Sequence, residues 1–243
     1  MTSHPVLVVE HEAMCPPGWV GEWLTEAGCA VDVRRPYRGD ALPEHLDDHR
    51  SMVVLGGSMD AYSDDRHPWL RQVKRLVRGA AEGHVPTLGI CLGHQLAAVA
   101  LGGAVQKNPR GQQIGVLQFG WTVEAGRDPL LGAVSEATVA VQWNNDLVTV
   151  PPTGTEVLAR TAAGELQAAR FAPTVWGVQS HPEAGEEIVS FWAANDRDSA
   201  AERGVDVDEY VAKVAAARNE LQASWQPLAA RFAAMDREVA RAW

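Results

Sequence analysis

The chain has 243 residues, 46% of them hydrophobic, and a formal charge of 21 − 31 = −10. That length supports a sizeable core in one domain, or in one domain plus an extension. The acidic balance without a block of Lys and Arg argues against nucleic acid or an anionic membrane surface as partner. No apolar run approaches the roughly 20 residues of a membrane span, and the opening "MTSHPVLVVEHEAMCPPG" lacks the basic n-region and long apolar core of a signal peptide.

The first hundred residues alternate strand and helix signals. Val6–Glu10 reads as a buried strand, Trp19–Ala27 as a helix closed by Gly28, and Ala30–Arg34 as a second strand. Met52–Leu55 is a third, ending at Gly56-Gly57. Trp69–Ala81 carries Leu70, Val73, Leu76, Val77 and Ala80 at helical spacing. Thr87–Ile90 is a further strand, and a short helix after Cys91 ends at Gly102-Gly103. Such alternation implies a parallel sheet covered by helices on both faces, with functional residues gathered at the carboxyl ends of its strands. From Ile114 the pattern turns mostly to strands: Val116–Glu124, Thr138–Trp143, Glu156–Thr161, Leu166–Phe171 and Val175–Gln179, the last two joined as a hairpin by "FAPTVWG". A helix from about Glu186 to Ala194 closes a domain of residues 1–195. Asp206 and Glu209 then fit a capping box that opens a helical extension spanning 196–243. Its apolar positions Val207, Val211, Val214, Leu221, Trp225, Leu228, Phe232, Met235 and Val239 form a packing face, for the domain or for a partner such as a second copy. Pro227 is expected to break or kink it.

Three cysteines, Cys15, Cys29 and Cys91, are an odd number without C-x-x-C pairing. This favours a reducing, cytoplasmic setting over a disulfide framework or a zinc site. His45 and His49, with Asp47 and Asp48 between them, lack an evident third ligand and read as a solvated helix or turn, so no metal is expected. Cys91 is different. It sits between Gly89 and Gly93 where a strand turns into a helix, the glycine spacing of a nucleophile elbow with cysteine for serine. The helix start would favour thiolate over thiol, and its N–H groups suit an oxyanion. A nucleophilic cysteine needs a base and a group to orient it. His181 follows the strand Val175–Gln179, and Glu183, two residues on, projects to the same side in an extended segment. His94, the rival base, lies in the first helical turn and points away from the open side of Cys91, as a structural hydrogen-bonder.

These residues carry a family resemblance. "GICLGHQ" (89–95) with "QSHPE" (179–183) resembles the signature pair of class I glutamine amidotransferases. "VVLGGSMDAYSDD" (53–65) with "HPWL" (67–70) resembles that family's oxyanion-strand loop. "IGVLQFGW" (114–121) and "QWNNDLVTVPPTG" (142–154) resemble its substrate-side segments. The motifs run in family order from about Val6 to Ala194, and the free-standing, GMP-synthase-like type is most similar. The resemblance implies a flavodoxin-like α/β fold with a mostly parallel central sheet, a smaller antiparallel β section and a C-terminal helical extension.

It also implies that Cys91 attacks the side-chain amide of glutamine to give a γ-glutamyl thioester and ammonia. His181 would then serve as acid and base, Glu183 as its orienter, and the backbone N–H groups of Gly57 and Leu92 as oxyanion hole. Gln95 matches a substrate-holding residue, though a polar residue on the first helical turn explains it nearly as well. Gly115 and the Trp143–Asn144–Asn145–Asp146 segment would line the substrate pocket. Asn144 stands where the family commonly has histidine, while Asp146 is retained. No cofactor is implied. The ammonia acceptor would be a separate synthetase. A stand-alone hydrolase of γ-glutamyl amides and a non-catalytic regulatory module are the competing expectations.

Overall fold

The apolar runs Val6–Val9, Ser51–Val54 and Thr87–Ile90 are buried and each pairs with a neighbour on both edges, whereas Val31–Arg34 forms the sheet edge and is half-buried. A computed structural model describes residues 4–235, apart from 119, 138 and 203. Strands β1 (Val6–Val9), β2 (Val31–Arg34), β3 (Ser51–Val54) and β4 (Thr87–Ile90) enter one sheet with β12 (Val175–Val178), in the order β2-β1-β3-β4-β12, all parallel. This is the doubly wound order of flavodoxin-like sheets. β11 (Leu166–Ala172), β10 (Glu156–Arg160) and β7 (Gly120–Trp121) extend it antiparallel. Two two-stranded ladders complete the β structure: β5 (Ala104–Lys107) with β9 (Asp146–Val150), and β6 (Gln113–Gln118) with β8 (Val139–Asn144).

Helices cover both faces of the sheet, as the parallel strands require. On one side α2 (Trp69–Gly83) and α3 (Leu92–Ala100) bury Leu70, Val73, Val77, Leu96 and Ala97 against β1, β3 and β4. On the other, α1 (Gly18–Glu26), α4 (Glu186–Glu202) and α5 (Val207–Ala233) share a cluster around Trp23, Trp176, Trp192, Trp225 and Phe232.

Several sequence expectations change here. α4 runs eight residues beyond Ala194, so the 195/196 boundary falls inside a helix. α5 opens as expected, with the Asp206 side chain accepting from the N–H groups of Asp208 and Glu209. It then passes through Pro227 unbroken. The lost amide bond costs about 3 kcal/mol, but Trp225, Leu228 and Phe232 are each buried on the domain, at roughly 1.5–3 kcal/mol apiece. Val239 lies outside the described residues, as does Thr138, the expected first residue of β8. The single strand expected over Val116–Glu124 instead begins at Gln113 in β6, and Glu124 lies in a 3-10 turn.

His94 is fully buried, its ring against Phe171 at 5.0 Å, and is a packing residue. Burial holds its pKa down to about 3, and burial followed by the nearby His67 does the same for His11. Both stay neutral in the folded state, whereas an unfolded histidine takes up a proton below about pH 6.5. The unfolded chain therefore binds more protons between those values, so stability falls as the solution is acidified. From pH 7 to 5 each histidine should cost about 2 kcal/mol. Urea midpoints at the two pH values check this. A midpoint independent of pH, or an undiminished slope in folded His94→Leu, would contradict it.

Candidate active site

β4 and β12 lie side by side and in register, Ile90 opposite Val178. Their carboxyl ends therefore deliver Cys91 and the Gln179–Glu183 segment to one place, although Gln179 lies 88 positions after Cys91 in the chain. The Cys91 amide donates to the Val178 carbonyl at 2.8 Å, and that of His181 to the Val141 carbonyl at 2.8 Å. Cys91 caps α3 with φ 50° and ψ −104°, a conformation rare for any side chain but glycine. Such strain marks functional turns. The flanking glycines let the turn close: a Cβ on Gly89 would lie 2.4 Å from the Gly93 carbonyl oxygen, and one on Gly93 only 2.0 Å from that of Val54. The elbow is thus wedged between α3 and the central strand β3.

Within this frame His181 Nδ1 lies 2.7 Å from Glu183 Oε1, with both side chains buried. A carboxylate only accepts, so Nδ1 carries a proton and Nε2 is the nitrogen left for Cys91. Burial opposes charge on the imidazole, but Cys91 and Glu183, acting through charge and hydrogen bonds, outweigh it and raise the His181 pKa well above its ordinary value. The ring also meets the edge of Trp192 at a centroid distance of 4.6 Å. Trp192 is fixed in turn by donating Nε1–H to the Met14 carbonyl at 2.6 Å. Glu183 is anchored from the other side, where the Trp19 amide at the start of α1 donates to its carbonyl at 3.0 Å.

A cleft of about 340 Å³ opens over Cys91 and His181. Of the expected site residues, Gly57, Gln95, Trp143 and Asn144 also line it, with Asn145 and Asp146. Leu92 begins α3 beside Gly57. Gly115 is not brought to the cleft; it pairs with Gln142 inside the β6–β8 ladder. The Asn144 amide donates to Gln113 Oε1 at 3.1 Å and to the Asp146 carbonyl at 3.3 Å. Glu12, Met14, Cys15, Ser58, Met59, Gln112, Trp192, Asn195 and Asp196 complete the lining, and none of them was singled out from the sequence as a site residue. Glu12 accepts from both the amide and the hydroxyl of Ser58 at 2.7 Å, pinning the loop that carries Gly57. Cys15 shares the cleft, yet burial, reinforced by the charges of Glu12, Glu183 and Cys91, raises its pKa well above the ordinary value, so it stays a thiol. Asn195 and Asp196 were out of view because they lie on the part of α4 beyond its expected end. Trp192 had a readable signal in its helical spacing with Ile188 and Val189.

Among the described residues no group of three or more His, Cys, Asp or Glu side chains is placed to hold a metal ion. His49 Nε2 instead meets Asp32 Oδ2 at 2.9 Å. No helix among them is long and apolar enough to cross a membrane.

Residues 20–188 match the family model for glutamine amidotransferase class-I. The chain is 30% identical over 184 residues to the glutamine amidotransferase-like protein YfeJ of Salmonella typhimurium, covering 74% of this chain and 76% of that one. It is 41% identical over 102 residues to a glutamine-hydrolyzing GMP synthase subunit of Saccharolobus solfataricus, covering 41% of this chain and 51% of the relative. In fold it is similar to a glutamine amidotransferase from Thermotoga maritima, with TM-score 0.84 and 22% identity over 96% of this chain and 99% of the other. A glutamine amido transferase from Methylobacillus flagellatus gives TM-score 0.83 at 25% identity, over 95% and 94%. With the family model spanning well over half of it, the chain belongs to the class I glutamine amidotransferase family.

Proposed function

We propose that the protein hydrolyses the side-chain amide of glutamine through a Cys91 thioester and passes the ammonia to a separate synthetase. The observation that carries this is the buried 2.7 Å bond between His181 and Glu183, beside a thiol held on a strained elbow. In the first step Cys91 Sγ, as thiolate, attacks the amide carbon while the backbone N–H groups of Gly57 and Leu92 receive the developing oxyanion. The C–N bond breaks and the imidazolium of His181 gives its proton to the departing ammonia. Water then attacks the thioester as His181 takes one of its protons, releasing glutamate and restoring the thiolate. Glu183 does no bond-making; it fixes the ring and offsets its charge.

The family membership supports glutamine as substrate, and relatives named as synthase subunits, including a carbamoyl phosphate synthase small chain of Methanococcus maripaludis, support a partner. One observation favours a stand-alone γ-glutamyl hydrolase instead. Asn144 supplies a neutral amide to the cleft wall where the family commonly has histidine, and the wall carries Glu12, Asp146 and Asp196 but no Lys or Arg among its described lining residues.

Ammonia release from glutamine and from a series of γ-glutamyl amides, alone and with candidate synthetases, separates the two. Turnover of glutamine that rises with a synthetase supports the first reading. Brisk partner-independent cleavage with little preference for glutamine supports the second. No turnover, together with no labelling of Cys91 by a glutamine-analogue electrophile, would rule out both. Glu183→Gln should retain the fold and slow turnover by about 10²- to 10⁴-fold, less than loss of the nucleophile. An unchanged kcat in that variant would remove Glu183 from the mechanism.

A further inference from the structure

Beneath the thiol, two side-chain amides link the wall of the cleft to the sulfur. Gln179, fully buried at the end of β12, places Nε2 3.6 Å from Cys91 Sγ. Its Oε1 accepts from Gln95 Nε2 at 3.3 Å, and the same Gln95 nitrogen donates to the backbone carbonyl of Asp146 at 3.1 Å. A carbonyl oxygen can only accept, so the amine end of Gln95 must face it. That amine end also faces Gln179, which must answer with its oxygen. The N–H of Gln179 is then the end that remains for the sulfur. A backbone atom, and not a free choice of amide orientation, dictates which group Cys91 meets. The Gln179 main chain is fixed as well, its amide donating to the Gln167 carbonyl at 2.8 Å.

We infer that Gln179 is a catalytic residue that donates a hydrogen bond to Cys91 Sγ and stabilises its thiolate, and that Gln95 is the positioning residue that orients it. This rests on reading Cys91 as the nucleophile. A hydrogen bond to an ionised acceptor is about twice as strong as a neutral one. The contact is therefore strongest when the sulfur is charged, before attack and again as the thioester breaks, and weakest in the neutral acyl-enzyme. It favours thiolate over thiol and improves sulfur as a leaving group in the second step. Gln95 thereby gains a role that does not require it to touch substrate.

Iodoacetamide is the probe, with alkylation of Cys91 followed on its own peptide across a pH series and Cys15 as internal comparator. In the wild-type protein Cys91 should react far faster than Cys15 near neutral pH. In Gln179→Leu the Cys91 rate should fall about tenfold at pH 7 and converge with wild type by about pH 10, where thiols ionise unaided. Gln95→Met, on the cleft side of α3, should give a smaller loss with the same pH dependence, and it decides the matter if Gln179→Leu does not fold. An unchanged rate at pH 7 in the folded variants overturns the inference. So does a loss that is equal at every pH, since that reports altered access and not altered ionisation. Wild-type Cys91 no more reactive than Cys15 would instead sink the underlying assignment of the nucleophile.

Discussion

Cys91→Ala should abolish glutamine hydrolysis, by about 10⁶-fold, while leaving the fold and thermal stability almost unchanged. The size of the effect follows from the chemistry: without sulfur there is no thioester, and His181 and the oxyanion donors act only on water. The near-neutral effect on stability follows from the structure. The alanine replaces a small side chain and inherits the same strained backbone, φ 50° and ψ −104°. Cys91→Gly separates strain from chemistry. It should be equally inactive but more stable by about 1 kcal/mol, because glycine occupies positive φ without the steric cost. In a chain of this size that corresponds to a rise in Tm of about 2–4 °C. Ammonia release and calorimetry on the two variants check both halves. Substantial turnover by Cys91→Ala would end the thioester mechanism, and a less stable Cys91→Gly would show that the elbow stores no strain.

Gly93→Ala should be among the most damaging single-methyl additions in the chain. The new Cβ would sit 2.0 Å from the Val54 carbonyl oxygen, in a central strand hydrogen-bonded on both edges. Neither β3 nor the first turn of α3 can shift without disturbing the other. The expected cost is about 3 kcal/mol or more, at the upper end of what overpacking does. Activity should fall further than stability alone explains, because any retreat of α3 carries the Leu92 N–H and the Cys91 elbow with it. Denaturant midpoints and the alkylation rate of Cys91, measured on whatever folded fraction can be purified, test this. A midpoint equal to wild type would mean that the α3–β3 contact is looser than the geometry requires.

The parallel sheet was legible because strands such as Val6–Val9 and Val175–Val178 are covered on both faces and so are written as unbroken apolar runs. The elbow was legible because a turn that tight demands glycines at fixed offsets, whatever the surrounding fold. Glu183 was legible as a partner for His181 from its place two residues on, but the expected extended backbone is instead a turn, closed by the Ala184 amide donating to the His181 carbonyl at 3.3 Å. It is this turn that brings the carboxylate to Nδ1. β8 was read nearly in place, as Thr138–Trp143, and β6 only in its second half, while β5 and β9 were not read: Ala104–Lys107 and Gln113–Gln118 are short and half exposed, so neither a buried run nor a clean alternation marks them. Pro227 misled because local helix chemistry lost to tertiary burial of the aromatic residues around it. Gln179 escaped as a site residue because a polar residue after a strand has many uses, and its contact with sulfur arises only from the register between β4 and β12. Gly115 was carried by resemblance of a segment, and the ladder turned it elsewhere.

The C-terminal helix has a consequence for how the cleft comes into being. Tyr210 donates its hydroxyl proton to the Gln142 carbonyl at 3.2 Å, and Trp225 donates Nε1–H to the Val139 carbonyl at 3.1 Å, so α5 buttresses β8 from behind. Arg50, leading into β3, donates to the carbonyls of Ala233 and Met235 at 2.8 and 3.0 Å, latching the end of that buttress to the start of a central strand. Without these bonds from α5 the sheet and the thiol would keep their places, but the strand that carries Trp143 and Asn144 into the cleft would lose its brace, so the shape of the pocket depends on a helix that contributes no residue to its lining.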